Sequence, residues 1–369
     1  MRLLTSLLTT ALAATLLTFS PPLAERADAA RYAAPEGPFF NDPRGSAEAQ
    51  LRIERQVLAA IRATPRRGTI RIAIYSFDRM PVARALAAAN RRGVKVQLLL
   101  NDHQDTKAMR YLRQRLGSHR WKGSFIYACR SGCRSAHPDR NLHSKFYTFT
   151  SAGRSERVLM VGSADQVFPR RSTRNDDPVL AMLGRVQCLN GDRRTRLDLS
   201  MHTMRGQRGN YLAAAIRRKH AEGCRVRVSY GLIGWHTKQI LGKQTSRGRV
   251  PLRSTGFDRD GDGEVEIYTH QKYLVIRGAY AGDPDASLTL TGSSNWASLG
   301  TAQDEVFFTV RGAGVAEKYV RNFNHMWRGT GNSRPAYTTT YASFRSLFGV
   351  PVTTVEPDGL RPGATWESD

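Results

Sequence analysis

Cysteine is scarce: the chain has four in 369 residues, none in a Cys-x-x-Cys pair. Zinc modules are commonly built on such pairs, so a zinc site has weak support. Long apolar runs are scarce too. The one present covers residues 3–19, and no later stretch is long or apolar enough to cross a bilayer. That excludes a membrane-spanning domain downstream. Acidic residues are also few, 31 against 56 Lys and Arg, which leaves a net charge of +25. An acidic or balanced surface is therefore excluded.

The single apolar run reads as a secretory signal. Arg2 precedes it, Pro21 and Pro22 break it, and Ala27-Asp28-Ala29 offers small residues for cleavage near Ala29. The mature protein is expected to be secreted and soluble. Within residues 1–29, Arg2 and Arg26 cancel Glu25 and Asp28, so the positive excess stays on the mature chain. Such a field draws polyanions, with nucleic acid and anionic lipid surfaces both qualifying. Export favours disulfides. Of three possible pairings, Cys129–Cys133, bracketing a tight turn, and Cys188–Cys224 are favoured.

The chain is organised by a repeat. Ile70, Ile72 and Ile74 alternate as on a strand, Val82, Leu86 and Ala89 share a helical face, Gly93 closes the helix, and Val94, Val96 and Leu98 mark a second strand. The same order returns with Leu197, Leu199 and Met201, a helix over 211–222, Gly223, and Val226 and Val228. The offset of 127–130 residues then holds from His143-Ser144-Lys145 to His270-Gln271-Lys272, from Gly162-Ser163 to Gly292-Ser293, and from Asp177 to Glu305. The expectation is an α/β fold of two duplicated units, each a mixed sheet covered by helices. The divisions are a signal peptide at 1–29, a leader at 30–45, repeats at 46–184 and 185–329, and an irregular tail at 330–369, partly packed through Phe344, Leu347 and Phe348.

The repeated segments carry the chemistry. Residues two apart on a strand face the same side, so each repeat presents an imidazole and an ammonium together, His143 with Lys145 and His270 with Lys272. If the repeats pack face to face, all four converge. One histidine can then attack phosphorus and the other can protonate the leaving oxygen. The lysines hold the anionic phosphate, so no metal or other cofactor is needed. Ser163 and Ser293 can donate to phosphate. Asp177 and Glu305 are candidates to accept from a histidine Nδ1 and leave Nε2 to react.

These motifs resemble the phospholipase D superfamily, whose repeated pattern is His-x-Lys, then Asp four residues after the Lys, then Gly-Ser-x-Asn, then an acid. The resemblance spans residues 46–329 and adds Asn295 from Gly292-Ser293-Ser294-Asn295. It implies phospholipase D-like α-β-α sandwiches with one active site at the pseudo-twofold interface of a monomer. It also implies His143 as nucleophile and His270 as acid/base. The sequence departs from the pattern where Thr150 and Arg277 hold the Asp positions and Asp165 replaces the first Asn. The longer segments at 151–157 and 278–286 read as hairpin turns.

Three functions stay open: a secreted phospholipase D releasing head groups such as choline, a secreted nuclease of the same superfamily, and a weakly catalytic polyanion binder. The first is favoured. Other features have simpler readings. Asp258 to Asp262 starts like a calcium loop, but its twelfth position is Thr269 rather than the needed Glu. His103, His119, His137, His202, His220, His236 and His325 read as surface or packing histidines. Trp296 reads as core, with the cleft wall as its alternative. Arg170, Arg171 and Arg174 read equally as phosphate-binding or as solvated.

Overall fold

The structure is a computed structural model that describes residues 31–42, 45–130, 132–133, 141–162, 174–257, 265, 267–298, 305, 307–328 and 331–337. The expected signal peptide, the calcium-like run at 258–262, and Phe344, Leu347 and Phe348 lie outside the described residues.

The first unit begins with helices α1 (Ala47–Gln50) and α2 (Arg52–Ala63). It continues through β1 (Thr69–Ile74), α3 (Met80–Arg91), β2 (Lys95–Asn101), α4 (Lys107–Leu116), β3 (Phe125–Cys129), β4 (Lys145–Ala152) and β5 (Ser155–Val161). Its sheet runs β3-β2-β1-β4-β5, parallel through the first three strands and antiparallel after them. The alternation seen at Ile70 and Ile72 buries those side chains against Val82 and Leu86 of α3 and Leu112 of α4. Each such burial stabilises the unit by roughly 1.5–3 kcal/mol.

The second unit repeats the plan. Helix α5 (Pro178–Gly184) ends the first repeat in sequence but packs Val179 and Leu183 into the second unit's core, and that unit then runs through a small hairpin of β6 (Leu189–Asn190) and β7 (Arg193–Arg194), β8 (Arg196–Met204), α6 (Gly206–Ala221) and β9 (Arg225–Ile233). It goes on with α7 (Trp235–Gly242), β10 (Leu252–Ser254), β11 (Lys272–Tyr280), β12 (Asp283–Gly292), β13 (Phe307–Arg311), α8 (Ala313–Arg328) and β14 (Arg334–Pro335). The sheet order is β13-β12-β11-β8-β9-β10-β14. Without its two outer strands this is β10-β9-β8-β11-β12, the order of the first sheet. The register agrees residue by residue: Ile74 lies opposite Lys145, and Met201 opposite Lys272. Gly93 and Gly223, at φ +90 and +111, end the equivalent helices in the left-handed region that suits glycine.

Both faces of the second sheet are covered. Leu212 and Ile216 of α6 pack on one face with Leu199 and Val228, while Val320 and Phe323 of α8 pack on the other with Tyr273 and Val275. Trp296 joins the first of these cores, as its simpler reading held. The segments at 151–157 and 278–286 are the turn ends of long hairpins, β4–β5 and β11–β12. Cys129–Cys133 and Cys188–Cys224 form the two disulfides. The tail departs from expectation at Arg334 and Pro335, which pair with β10 as β14. Among the described residues, no helix is long and apolar enough to cross a membrane.

Candidate active site

Lys145 and Lys272, which open β4 and β11, pair near the carboxyl ends of the parallel strands: β1 ends opposite Lys145, and β8 and β9 run three residues past the level of Lys272. Ligand crevices of α/β sheets gather at such strand ends, because loops rather than paired backbone line them. His143 and His270 stand two residues before those lysines.

His143 is fully buried, and its Nδ1 lies 2.9 Å from Oε1 of Glu305, which belongs to the other repeat. Ser293 donates its hydroxyl to the other carboxylate oxygen of Glu305. An ionised carboxylate can only accept, so Nδ1 of His143 is the donor in this contact, and the neutral ring with that tautomer has its lone pair on Nε2. Lys145 Nζ donates to the His143 carbonyl at 2.8 Å and lies 5.2 Å from the Tyr75 ring centroid. The Tyr75 ring meets the His143 ring edge-on at 5.1 Å.

The second histidine sits in a different setting. His270 is exposed, while Lys272 is buried with Nζ 3.2 Å from both ring nitrogens and from the His270 carbonyl. The ring of His202 lies 4.3 Å from that of His270 and stacks on Tyr268 at 4.9 Å.

Several candidates play other parts than expected. Asp177 is committed away from the histidines. Its Oδ1 caps α5 by accepting from the amides of Val179 and Leu180, and its Oδ2 accepts from Arg208 Nε at 2.8 Å and the Tyr211 hydroxyl at 2.6 Å. Burial pushes the Asp177 carboxyl up, but the Arg208 charge and these hydrogen bonds outweigh it and hold the group below the usual carboxylate range. Ser293 holds Glu305, so its hydroxyl acts on the acid. Asn295 is buried, and its Oδ1 accepts from the Thr203 amide at 3.2 Å. Ser163, with Asp165, Arg170 and Arg171, lies outside the described residues, and Arg174 is exposed.

The positions where the superfamily pattern has Asp hold structural residues. The Thr150 hydroxyl accepts from the Thr69 amide at 2.9 Å, tying β4 to β1. Arg277 lies half-buried beside the buried Asp198. Burial lowers its guanidinium below the ordinary arginine range, against the opposing pull of Asp198.

Two histidines given simpler readings stand next to the motifs. His202 is described above. His103 stacks flat on Tyr75 at 4.0 Å, accepts from Asn101 Nδ2 at 2.9 Å, and lies 3.2 Å from the Ser76 hydroxyl. Tyr75 and His202 follow Ile74 and Met201, which hold equivalent register positions, so each repeat sets an aromatic ring against its motif histidine. The residue types differ, which hid the equivalence from a search for matching letters. The signal was the constant offset of 127 from Tyr75 to His202.

No curated protein matches the sequence. Among solved structures, a polyphosphate kinase from Porphyromonas gingivalis is similar at 12% identity and TM-score 0.49, covering 76% of this chain and 46% of its own. The chain thus spans less than half the length of that enzyme. Nuc from Salmonella typhimurium, a phospholipase D family member, is matched at 12% identity and TM-score 0.18, with 79% of this chain and 93% of its own covered. The family described as cardiolipin synthase, phospholipase D-like domain, matches residues 58–178 and 191–327. Those stretches take in the whole first sheet, all of the second but β14, and most of the chain, and the chain therefore belongs to the phospholipase D superfamily, whose members are phosphodiesterases and phosphotransferases.

Proposed function

We propose that the protein is a secreted, metal-independent phosphodiesterase acting as a phospholipase D on phospholipid head groups. One observation carries the reading: a buried histidine of one repeat has its Nδ1 held by a buried carboxylate of the other. That pairing makes Nε2 of His143 a nucleophile. In the first step Nε2 attacks phosphorus and the P–O bond to the leaving alcohol breaks. The leaving oxygen takes its proton from His270. In the second step water attacks phosphorus, His270 takes a proton from it, and the N–P bond breaks to return the electron pair to His143. The accumulating positive charge on His143 is balanced by Glu305, and Lys145 and Lys272 supply cationic charge to the phosphoryl oxygens. The exposure of His270 suits a group that must exchange protons with both alcohol and water.

The lipid reading is supported by the matched family's description as a cardiolipin synthase. Export is supported by the leader's composition and by two disulfides, which suit an oxidising compartment. Nucleic acid is the second reading. It is favoured by the net charge of +25 and by the exposed His103 ring stacked on the half-buried Tyr75 beside His143, a surface on which a base can lie.

The test follows choline release from phosphatidylcholine vesicles and plasmid nicking, both in excess EDTA, with the His143→Ala/His270→Ala variant as blank. Choline release above the blank establishes the lipid activity. Nicking alone makes the protein a nuclease. Activity abolished by chelator refutes the metal-independent mechanism, and full activity in the blank refutes the assignment of both histidines.

A further inference from the structure

Glu305 accounts for His143, but Asp177, its counterpart in the repeat, is turned to Arg208. The partners of Arg208 give that departure a purpose. The guanidinium is buried and divides its donors between the repeats: Nε donates to Asp177, while Nη1 donates to Ser294 Oγ at 2.9 Å and to the Asn295 carbonyl at 2.6 Å. The Asn295 side chain then accepts from the Thr203 amide at 3.2 Å. The Thr203 hydroxyl lies 3.2 Å from Nδ1 of His202, whose ring packs at 4.3 Å on His270. Asp177, Arg208, Asn295, Thr203 and His202 are all buried, so each link is shielded from competing water.

A buried arginine is retained only where its charge and donors are matched, and the planar fork fixes direction as well as distance. Asp177 supplies the charge and leaves Nη1 to grip the Ser294–Asn295 loop. We infer that Arg208 and His202 are positioning residues for His270: Arg208 sets the loop, the loop sets the end of β8, and His202 sets the imidazole that exchanges protons during turnover. The first repeat thereby orients the acid/base of the second, as Glu305 of the second orients the nucleophile of the first. The inference rests on the phosphodiesterase reading of this same site.

The experiment compares two leaving groups. Departure of p-nitrophenolate from a p-nitrophenyl phosphodiester needs no proton, whereas departure of an alkyl alcohol needs one from His270. Arg208→Lys keeps a charge beside Asp177 but removes the fork. His202→Phe keeps a ring against Tyr268 and His270 but removes the link to Thr203. Each variant should leave the single-turnover release of p-nitrophenolate unchanged and lower turnover of the alkyl diester roughly 10- to 100-fold at unchanged KM, the scale of a small misplacement of a catalytic group. The alkyl pH–rate profile should lose definition on the limb set by His270. Equal losses for both substrates, or no loss for either, overturn the inference. If Arg208→Lys fails to fold, His202→Phe decides alone. A wild-type protein that turns over neither substrate instead removes the phosphodiesterase reading, a result distinct from any variant effect.

Discussion

Glu305→Gln isolates the charge behind the nucleophile. The wild-type carboxylate accepts from His143 Nδ1 at 2.9 Å through one oxygen and from Ser293 through the other. Glutamine keeps the shape but must accept with one end and donate with the other. A serine hydroxyl can switch from donor to acceptor, so Ser293 can take the new amide N–H and leave the amide oxygen on Nδ1. The tautomer is then preserved and only the charge is lost. A hydrogen bond to a charged group contributes roughly 1.5–3 kcal/mol against about 1 for a neutral one. The imidazole gains positive charge as it attacks phosphorus, so the transition state loses about 1–2 kcal/mol, or roughly 5- to 30-fold in kcat. Adding Ser293→Ala removes the group that orients the amide. With the amide reversed, Nε2 carries the proton and cannot attack, and a tautomer error of this kind costs roughly 10⁴-fold in a serine protease. The double variant should thus lose more than the product of the single losses. Steady-state kinetics with trapping of a phosphoenzyme from labelled substrate would measure this, with trapped label expected to fall in step with kcat. A Glu305→Gln enzyme with full kcat, or with its whole loss in KM, would refute the role assigned to the charge.

Four further outcomes are expected. His270→Ala should accumulate phosphoenzyme when p-nitrophenyl substrate is used, because attack on phosphorus continues while activation of water fails, and His143→Ala should form none. The folded Asp177 group titrates below its unfolded value of about 3.9, so its stabilisation is present above that pH and is lost as pH falls through the folded value. Denaturant titrations of Asp177→Asn should show a shallower acid-side loss. Burial lowers the His220 imidazole, outweighing its hydrogen bond to the Arg247 carbonyl. The unfolded chain therefore binds the extra proton first, and stability falls as pH drops below about 6.5, a slope that His220→Gln should flatten. Cys188–Cys224 spans 36 positions and Cys129–Cys133 spans 4, so loop closure predicts losses of about 4 and about 2 kcal/mol when the respective pair is replaced by alanine, readable as the larger shift in midpoint for the first.

The duplication was legible because it rests on periodicity. Strand alternation at Ile70 and Leu197, helix closure at Gly93 and Gly223, and the 127-residue step from Lys145 to Lys272 all survive in the register of the two sheets. The hairpins at 151–157 and 278–286 were legible from length, as stretches inserted between His-x-Lys and Gly-Ser beyond the superfamily's compact spacing. The strand formed by Arg334 and Pro335 was not. Two residues carry no period, and their pairing with β10 is decided by tertiary contact alone.

The site divides along another line. Residue types with few alternative uses at repeated spacing, His143, Lys145, His270 and Lys272, could be picked out directly. What each acid touches could not, because Asp177 and Glu305 occupy equivalent positions yet meet different partners. The difference lies in Arg208, a residue outside every motif. A guanidinium beside Asp177 satisfies it locally, so that carboxylate has charge and donors without a histidine. Glu305 instead shares its oxygens between Ser293 and His143. One arginine thus breaks the symmetry of a duplicated chain and lets two similar histidines differ. In the proposed mechanism the one clamped by an acid and buried attacks, and the one beside Lys272 and open to solvent carries protons.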